Sequence, residues 1–196
     1  MRHSKKITLT AIIAMLGSAL VASPAHAAPP PVVVDCSLGG TFTYTYEGTE
    51  DTFTYPGGEI VEVTTSSDCE GVATIPVNVN SIGKYAFADS TLLDSVVFAD
   101  SINLQYIGEF AFFMHSSLTS ISIPRSVVKI SVNAFAHSSQ LASVTFEGNA
   151  PTVERDPGGT EDLYLAFRGT KAGSVANIGP QATGFGDGPT WQGLSL

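Results

Sequence analysis

The chain has 196 residues, of which 18 are acidic and 9 basic, and its formal net charge at pH 7 is −9. This length is enough for one domain with a real core, and the negative charge argues against nucleic acid and anionic lipid as partners. Since the chain has two cysteines, a four-cysteine zinc site is excluded by count.

Residues 1–27 have the pattern of a secretory signal peptide. A positively charged start precedes an apolar run over residues 7–21, and Ala25-His26-Ala27 is a small-x-small cleavage site. The alternative is an uncleaved membrane anchor, but the apolar run is short for a span of about 20 residues. Cleavage before Ala28 removes three basic residues and no acidic one, so the mature chain carries −12. We expect a secreted or surface-associated protein with no membrane span after cleavage.

Residues 28–79 are predicted to be extended and then β-structured. Residues 28–35 form a proline-rich lead-in that we expect to be extended and mobile. Residues 41–46 alternate threonine with aromatic residues, and this period of two predicts a strand; residues 52–55 and 59–65 predict two more. In an oxidising compartment the default for Cys36 and Cys69 is a disulfide. We interpret residues 36–79 as an N-terminal β cap that covers the end of a solenoid; the alternative is a separate small β domain.

A repeated frame follows over residues 80–149, three times. It reads Ile-x-x-x-Ala-Phe, five residues, then Leu-x-x-(Val/Ile)-x-(Phe/Ile), starting at Ile82, Ile107 and Ile130. Repeats of this length with a leucine-rich core predict a leucine-rich, β-rich solenoid. We expect Ala-Phe on a short helical or 3₁₀ turn and the leucine stretch in a strand. The residues predicted to face inward from these strands are Leu93, Val96, Phe98, Leu118, Ile121, Ile123, Leu141, Val144 and Phe146.

Residues 150–196 are predicted to be a degenerate fourth repeat and a C-terminal cap. Val153 takes the opening position of the frame and Ala166-Phe167 its Ala-Phe pair, with residues inserted between them. Trp191 is expected to cover the core of the last repeat; the alternative is a mobile tail. The acidic segments 47–51 and 154–162 do not have EF-hand spacing, so we interpret them as solvated turns and leave calcium binding open.

The frame resembles the BspA-like leucine-rich repeats of bacterial surface proteins. The closest copy runs from Ile107-Gly108 through Ala111-Phe112 and Leu118 to Ile123-Pro124. The family often has cysteine three residues after the phenylalanine, where this chain has Ser90, His115 and Ser138. The resemblance covers about residues 75–196, and it implies attachment to proteins or surfaces with no catalytic residues to carry over.

A binding surface is expected on the exposed side of the repeat strands. The outward positions are small and mostly hydroxylic, which suits hydrogen bonding to a glycan or an extended peptide; the plainer interpretation is that small residues suit a tightly curved sheet. A carboxylate pair for sugar hydrolysis is missing from these positions. The predicted binding residues are Ser95, Val97, Ser120, Ser122, Ser143 and Thr145.

The two histidines beyond the signal peptide, His115 and His137, follow the phenylalanines of successive repeats. No further ligands repeat with them, so we predict solvated surface histidines rather than a metal site. The chain also lacks the common nucleophile and nucleotide-binding motifs. We therefore predict a non-catalytic protein without cofactor or metal that recognises an extracellular protein or glycan, as in adhesion. The alternative is a structural or accessory envelope module without a discrete ligand.

Overall fold

A computed structural model describes residues 32–47, 60–65, 69–99, 103–153 and 165–196. The predicted signal peptide, the predicted strand at 52–55 and most of both acidic segments lie outside the described residues. The strands of the described part are β1 (Val32–Asp35), β2 (Thr41–Glu47), β3 (Ile60–Thr65), β4 (Gly71–Ile75), β5 (Ser81–Ile82), β6 (Leu93–Phe98), β7 (Tyr106–Ile107), β8 (Ser120–Ile123), β9 (Lys129–Ile130), β10 (Ser143–Phe146), β11 (Thr152–Val153), β12 (Val175–Ile178), β13 (Thr190–Trp191) and β14 (Leu194–Ser195).

The repeated frame folds into a β-solenoid of about 5 turns with little helix, which confirms the predicted fold class. The leucine stretch of each frame contains a long strand of four to six residues. Buried residues alternate with more exposed ones along β8 and β10, and β6 buries Leu93 and Val96. β8, β10 and β12 pair in parallel, and Val144 aligns with Ile121 on one side and Ala176 on the other. β14 and β13 continue this five-stranded sheet at its C-terminal end.

The long strand of the first repeat, β6, pairs in parallel with β4 in a separate two-stranded sheet. β4 lies inside the segment that we interpreted as the N-terminal cap. Its register places Gly71 opposite Leu93 and Ile75 opposite Phe98, so β4 occupies the place of a repeat strand. The solenoid stacking therefore reaches further toward the N-terminus than the three recognised copies of the frame.

A second side of the solenoid is built from two-residue strands that contain the opening isoleucines. β5, β7, β9 and β11 pair in parallel, so that Ile82, Ile107, Ile130 and Val153 align one above the other. β3 joins β5 in parallel at the N-terminal end, and β2 and β1 extend the sheet in antiparallel pairing. The expectation of a mobile lead-in is therefore wrong for residues 32–35, because β1 is hydrogen-bonded to β2. This arrangement places the N-terminal strands over the end of the repeat stack.

The third side carries the Ala-Phe pairs, which were expected on short helical or 3₁₀ turns. The described segments 84–89, 109–114 and 132–137 are runs of hydrogen-bonded turns. They contain 3₁₀-type bonds, such as that from the N–H of Ala111 to the carbonyl of Gly108, but no α-helix. Their N–H groups donate across to the next coil, as Phe112 does to the carbonyl of Ala134 at 2.7 Å. A right-handed helix cannot continue through left-handed residues, and each segment has two of them: Tyr85 and Asp89, Phe110 and Met114, Asn133 and His137.

The core is organised around a column of phenylalanine rings. Phe87, Phe112, Phe135 and Phe167 stack with centroid distances of 5.3, 4.8 and 4.7 Å and are fully buried. The inward residues predicted on the long strands lie in or against this core. Since the rings are nearly parallel, with interplanar angles of 5–9°, each coil repeats the position of the one before it.

Aromatic side chains also lie at both ends of this column. At the N-terminal end, the buried ring of Phe42 on β2 lies 5.8 Å from Phe87. At the C-terminal end, Trp191 contacts Phe146, Phe167 and Phe185. The predicted disulfide between Cys36 and Cys69 is present, and it joins the segment after β1 to the segment before β4. Both ends of the apolar stack are therefore shielded from solvent.

Candidate binding surface

The residues predicted to bind a ligand lie on the outward side of the long strands; we call Ser95, Val97, Ser120, Ser122, Ser143 and Thr145 the strand face. Ser120 pairs with Ser143, and Ser122 with Thr145, between β8 and β10. Ser120 and Thr145 are exposed, and Ser122 and Ser143 are half-buried. The alternation of a strand puts these side chains on the side opposite the core, so the four residues form two adjacent rows.

The two remaining residues of the strand face, Ser95 and Val97, lie on β6 in the separate two-stranded sheet. Val97 is 48% exposed and pairs with the exposed Thr74, while Ser95 is half-buried and pairs with Val72. The structure therefore brings four of the predicted residues together in one sheet and places two in the neighbouring sheet.

Hydrogen bonds link the strand face to residues that sequence reasoning missed. Ser122 Oγ donates to Glu147 Oε1 at 2.8 Å. Asn177 Nδ2 donates to Ser143 Oγ at 2.6 Å, and Asn177 pairs with Thr145 on β12. Asn177 therefore continues the polar rows into the degenerate fourth repeat, where the frame is too weak for the sequence to reveal it.

A pocket of about 390 Å³ lies beyond the carboxyl ends of β8, β10 and β12. The polar side chains that line it are those of Arg125, Glu147, Asn149 and Gln181. Each comes from the turn after one of these strands, so three successive coils contribute to it. No motif in the sequence marks this pocket, because its residues do not recur at the spacing of the frame.

The turn side of the solenoid carries an aromatic flank, formed by Tyr85, Phe110, Phe113 and His137. Tyr85 and Phe110 stack with centroids 5.1 Å apart, and Phe113 meets Phe110 and His137 edge to face. Tyr85 is 50% exposed. Lys84 lies beside the Tyr85 ring, and its hydrogen bond to Glu109 raises the pKa of its ammonium group.

The prediction of two solvated histidines is wrong for His115, which is fully buried, while His137 is exposed. His115 Nδ1 accepts a hydrogen bond from the N–H of Leu118 at 3.2 Å, and Nε2 has no partner within the described residues. Burial lowers the pKa of His115 to about 4, against a smaller opposite effect of Asp94. The neutral imidazole is therefore a core residue and not a surface group.

The described part of the chain has neither a metal-binding cluster nor a membrane-spanning helix. There, no group of three or more His, Cys, Asp or Glu side chains is placed to hold a metal ion. The same residues include no helix with the length and apolar character needed to cross a bilayer.

Comparison with known proteins matches the repeats to a family. Residues 68–156, just under half of the chain, match the BspA type leucine-rich repeat region in 6 copies. Neither the curated proteins nor the solved structures provided a match to this chain. The match begins before β4, in agreement with the place of that strand in the stack. Members of this family are usually extracellular or surface proteins, and residues 68–156 of this chain belong to the BspA-type leucine-rich repeat family.

Proposed function

We propose that this chain is a secreted or surface-associated recognition protein that binds an extracellular protein or glycan without catalysis. The family supports the coarser part of this proposal, since its repeats indicate a non-enzymatic protein. The strand face is the surface that would bind, because it extends across several coils as solenoid binding surfaces do. Adhesion is the role that such a protein would serve.

One observation carries this proposal: the in-register rows of small polar side chains across β8, β10 and β12. Ser122, Thr145 and Asn177 form one row, and Ser120 and Ser143 belong to the next. Hydroxyl and amide groups both donate and accept hydrogen bonds. A ligand with regularly spaced polar groups, such as a glycan or an extended peptide, would find partners at successive strands about 4.8 Å apart.

The proposal is tested by a pull-down with the mature chain, residues 28–196, against host extracellular matrix and the producer's own envelope extract. Bound molecules are identified by mass spectrometry, and their affinity is then measured by titration. We expect saturable binding that Ser120→Arg and Ser122→Arg each abolish, because a long cation on the face blocks close approach. Ser139→Arg, in an exposed turn, is the matched control and should bind as wild type.

The circular dichroism spectrum and melting temperature of each variant must match wild type for the comparison to hold. Saturable binding that survives both face substitutions would place the ligand elsewhere on the molecule. No binding in either extract would favour the alternative, a structural or accessory envelope module without a discrete ligand.

A further inference from the structure

We infer that the pocket beyond β8, β10 and β12 binds a basic residue at the free C-terminus of a peptide. Arg125 would hold the carboxylate of this residue, and Glu147 its ammonium group. The inference deepens the proposed function and rests on it, since Glu147 is hydrogen-bonded to Ser122 of the strand face. A peptide lying along that face could therefore end in the pocket.

The walls of the pocket are held by backbone contacts between coils. Gly148 allows the third repeat to approach the second, because a Cβ at this position would lie 2.9 Å from Arg125 Cα. Ala150 donates from its N–H to the carbonyl of Thr183 at 2.9 Å, and Asn149 Oδ1 accepts from the N–H of Thr183 at 3.0 Å. These contacts hold the backbone of the fourth repeat against that of the third.

The charges in the pocket favour a ligand that carries both a negative and a positive group. Within the described residues, Arg125 and Glu147 are both lining the pocket yet form no ion pair with each other. A guanidinium group binds a carboxylate through two parallel hydrogen bonds. Glu147 already accepts one hydrogen bond from Ser122, and its remaining lone pairs can accept from an ammonium group.

Other ligand classes fit the pocket less well. A polyanion is repelled by the net charge of −9 and by Glu147 itself. A sugar ring packs its C–H groups against an aromatic ring, and no aromatic residue is among the described residues that line the pocket. The amides of Asn149 and Gln181 can instead bond to peptide groups, and the volume of about 390 Å³ is in the range of small-ligand sites.

The inference is tested by isothermal titration of the chain with three tripeptides. The first is acetyl-Gly-Gly-Lys with a free carboxylate; the second is its C-terminal amide, and the third has norleucine in place of lysine. We expect the first to bind at least about tenfold more tightly than either of the others, and its affinity to fall with added salt. Equal affinity for the acid and the amide, or no binding of the acid at millimolar concentration, would overturn the inference.

Two variants test which residue causes the preference for a free carboxylate and which causes the preference for lysine. Arg125→Gln should remove the preference for the acid over the amide, and Glu147→Gln the preference for lysine over norleucine. Lys171→Gln and Asp187→Asn make the same changes of charge at exposed positions outside the pocket and should leave both preferences intact. Loss of both preferences in these controls would attribute the effect to net charge and overturn the assignment.

The two experiments distinguish a wrong pocket inference from a wrong proposed function. If the tripeptides do not bind but the pull-down still yields a partner sensitive to Ser120→Arg, the proposed function stands and the pocket inference is wrong. If the tripeptides bind as expected and neither extract yields a partner, the pocket exists without the broader recognition role.

Discussion

At the scale of single residues, His115 shows how one position in the frame is used differently by successive coils. Ser90, His115 and Ser138 each follow a column phenylalanine by three residues, and all three are buried. Ser138 Oγ donates to the carbonyl of Phe112 at 2.7 Å, which satisfies a small polar group in the core. The imidazole of His115 is larger, and one of its nitrogens has no partner in the described part of the chain. Charging this ring in place is therefore unfavourable.

We expect folding stability to fall as the pH drops from about 6.5 to about 4. The pKa of His115 is lowered from 6.5 to about 4 in the folded chain, so the unfolded chain binds this proton more readily. Above pH 6.5 the histidine is neutral in both states and the free energy of unfolding is unaffected. Between pH 6.5 and pH 4 only the unfolded chain is protonated at this residue, so the free energy of unfolding falls by about 3 kcal/mol. Urea unfolding of wild type and His115→Ser at a series of pH values measures it.

His115→Ser should flatten this part of the pH profile, because serine is the residue of the neighbouring coils at this position. His137→Ser removes the exposed histidine instead and should keep the wild-type slope. If wild type and His115→Ser lose stability in parallel over this range, His115 does not cause the acid sensitivity.

The burial of His115 was predictable in part. Its frame equivalents are small serines, and a small residue at a fixed distance from a core phenylalanine indicates an inward position. The sequence alone did not show that a histidine would enter the same space. The local turns that aim it inward depend on left-handed residues such as Phe110 and Met114, and neither residue type favours that conformation.

At the scale of elements, the phenylalanine column links every coil to its neighbours. Phe112 is fully buried and stacks on Phe87 and Phe135. We expect Phe112→Ala to lower the free energy of unfolding by about 3–5 kcal/mol, since it removes apolar contact and leaves a cavity. Phe113→Ala, at a half-buried neighbour on the aromatic flank, should cost clearly less. Chemical denaturation of both variants tests this, and equal losses would argue against a special role for the column.

The disulfide is an element-scale constraint at the N-terminal end of the stack. Cys36 and Cys69 are separated by 33 positions, and closing a loop of this length stabilises a fold by about 3–4 kcal/mol in the chain-entropy view. We expect the Cys36→Ser/Cys69→Ser double variant to melt at a lower temperature. The wild-type chain with and without reductant provides a second comparison, and an unchanged melting temperature in both would refute the stabilising role.

The elements were predictable where the frame is intact and not where it degenerates. The strands β6, β8 and β10 follow from the spacing of Leu118 and its equivalents, because an alternating apolar stretch has one buried side. β4 was not recognised as a repeat strand, since Gly71 stands where the other strands have leucine. β3 was predicted as a strand over residues 59–65, but its place between β2 and β5 was not, because that pairing depends on the neighbouring strands.

At the scale of the whole molecule, the sequence predicted a solenoid and the direction in which its strand face points. Those properties follow from alternation within each copy of the frame. The pocket could not be predicted from the sequence, because Arg125, Glu147 and Gln181 come together only when three coils are stacked in a particular register. The aromatic flank could not be predicted for the same reason. Tyr85 and Phe110 lie 25 positions apart in the sequence and stack only because neighbouring coils are in contact.

The phenylalanine rings of successive coils stack in nearly the same way, and this affects how the number of repeats can change during evolution. Because one coil lies on the next in the same way at Phe87, Phe112 and Phe135, a duplicated coil would present to both neighbours the surfaces that they already accept. An in-frame duplication of 23–25 codons would lengthen the molecule by about 4.8 Å while its two ends stay as they are. Copy number is thus a variable that recombination can adjust without redesigning the core.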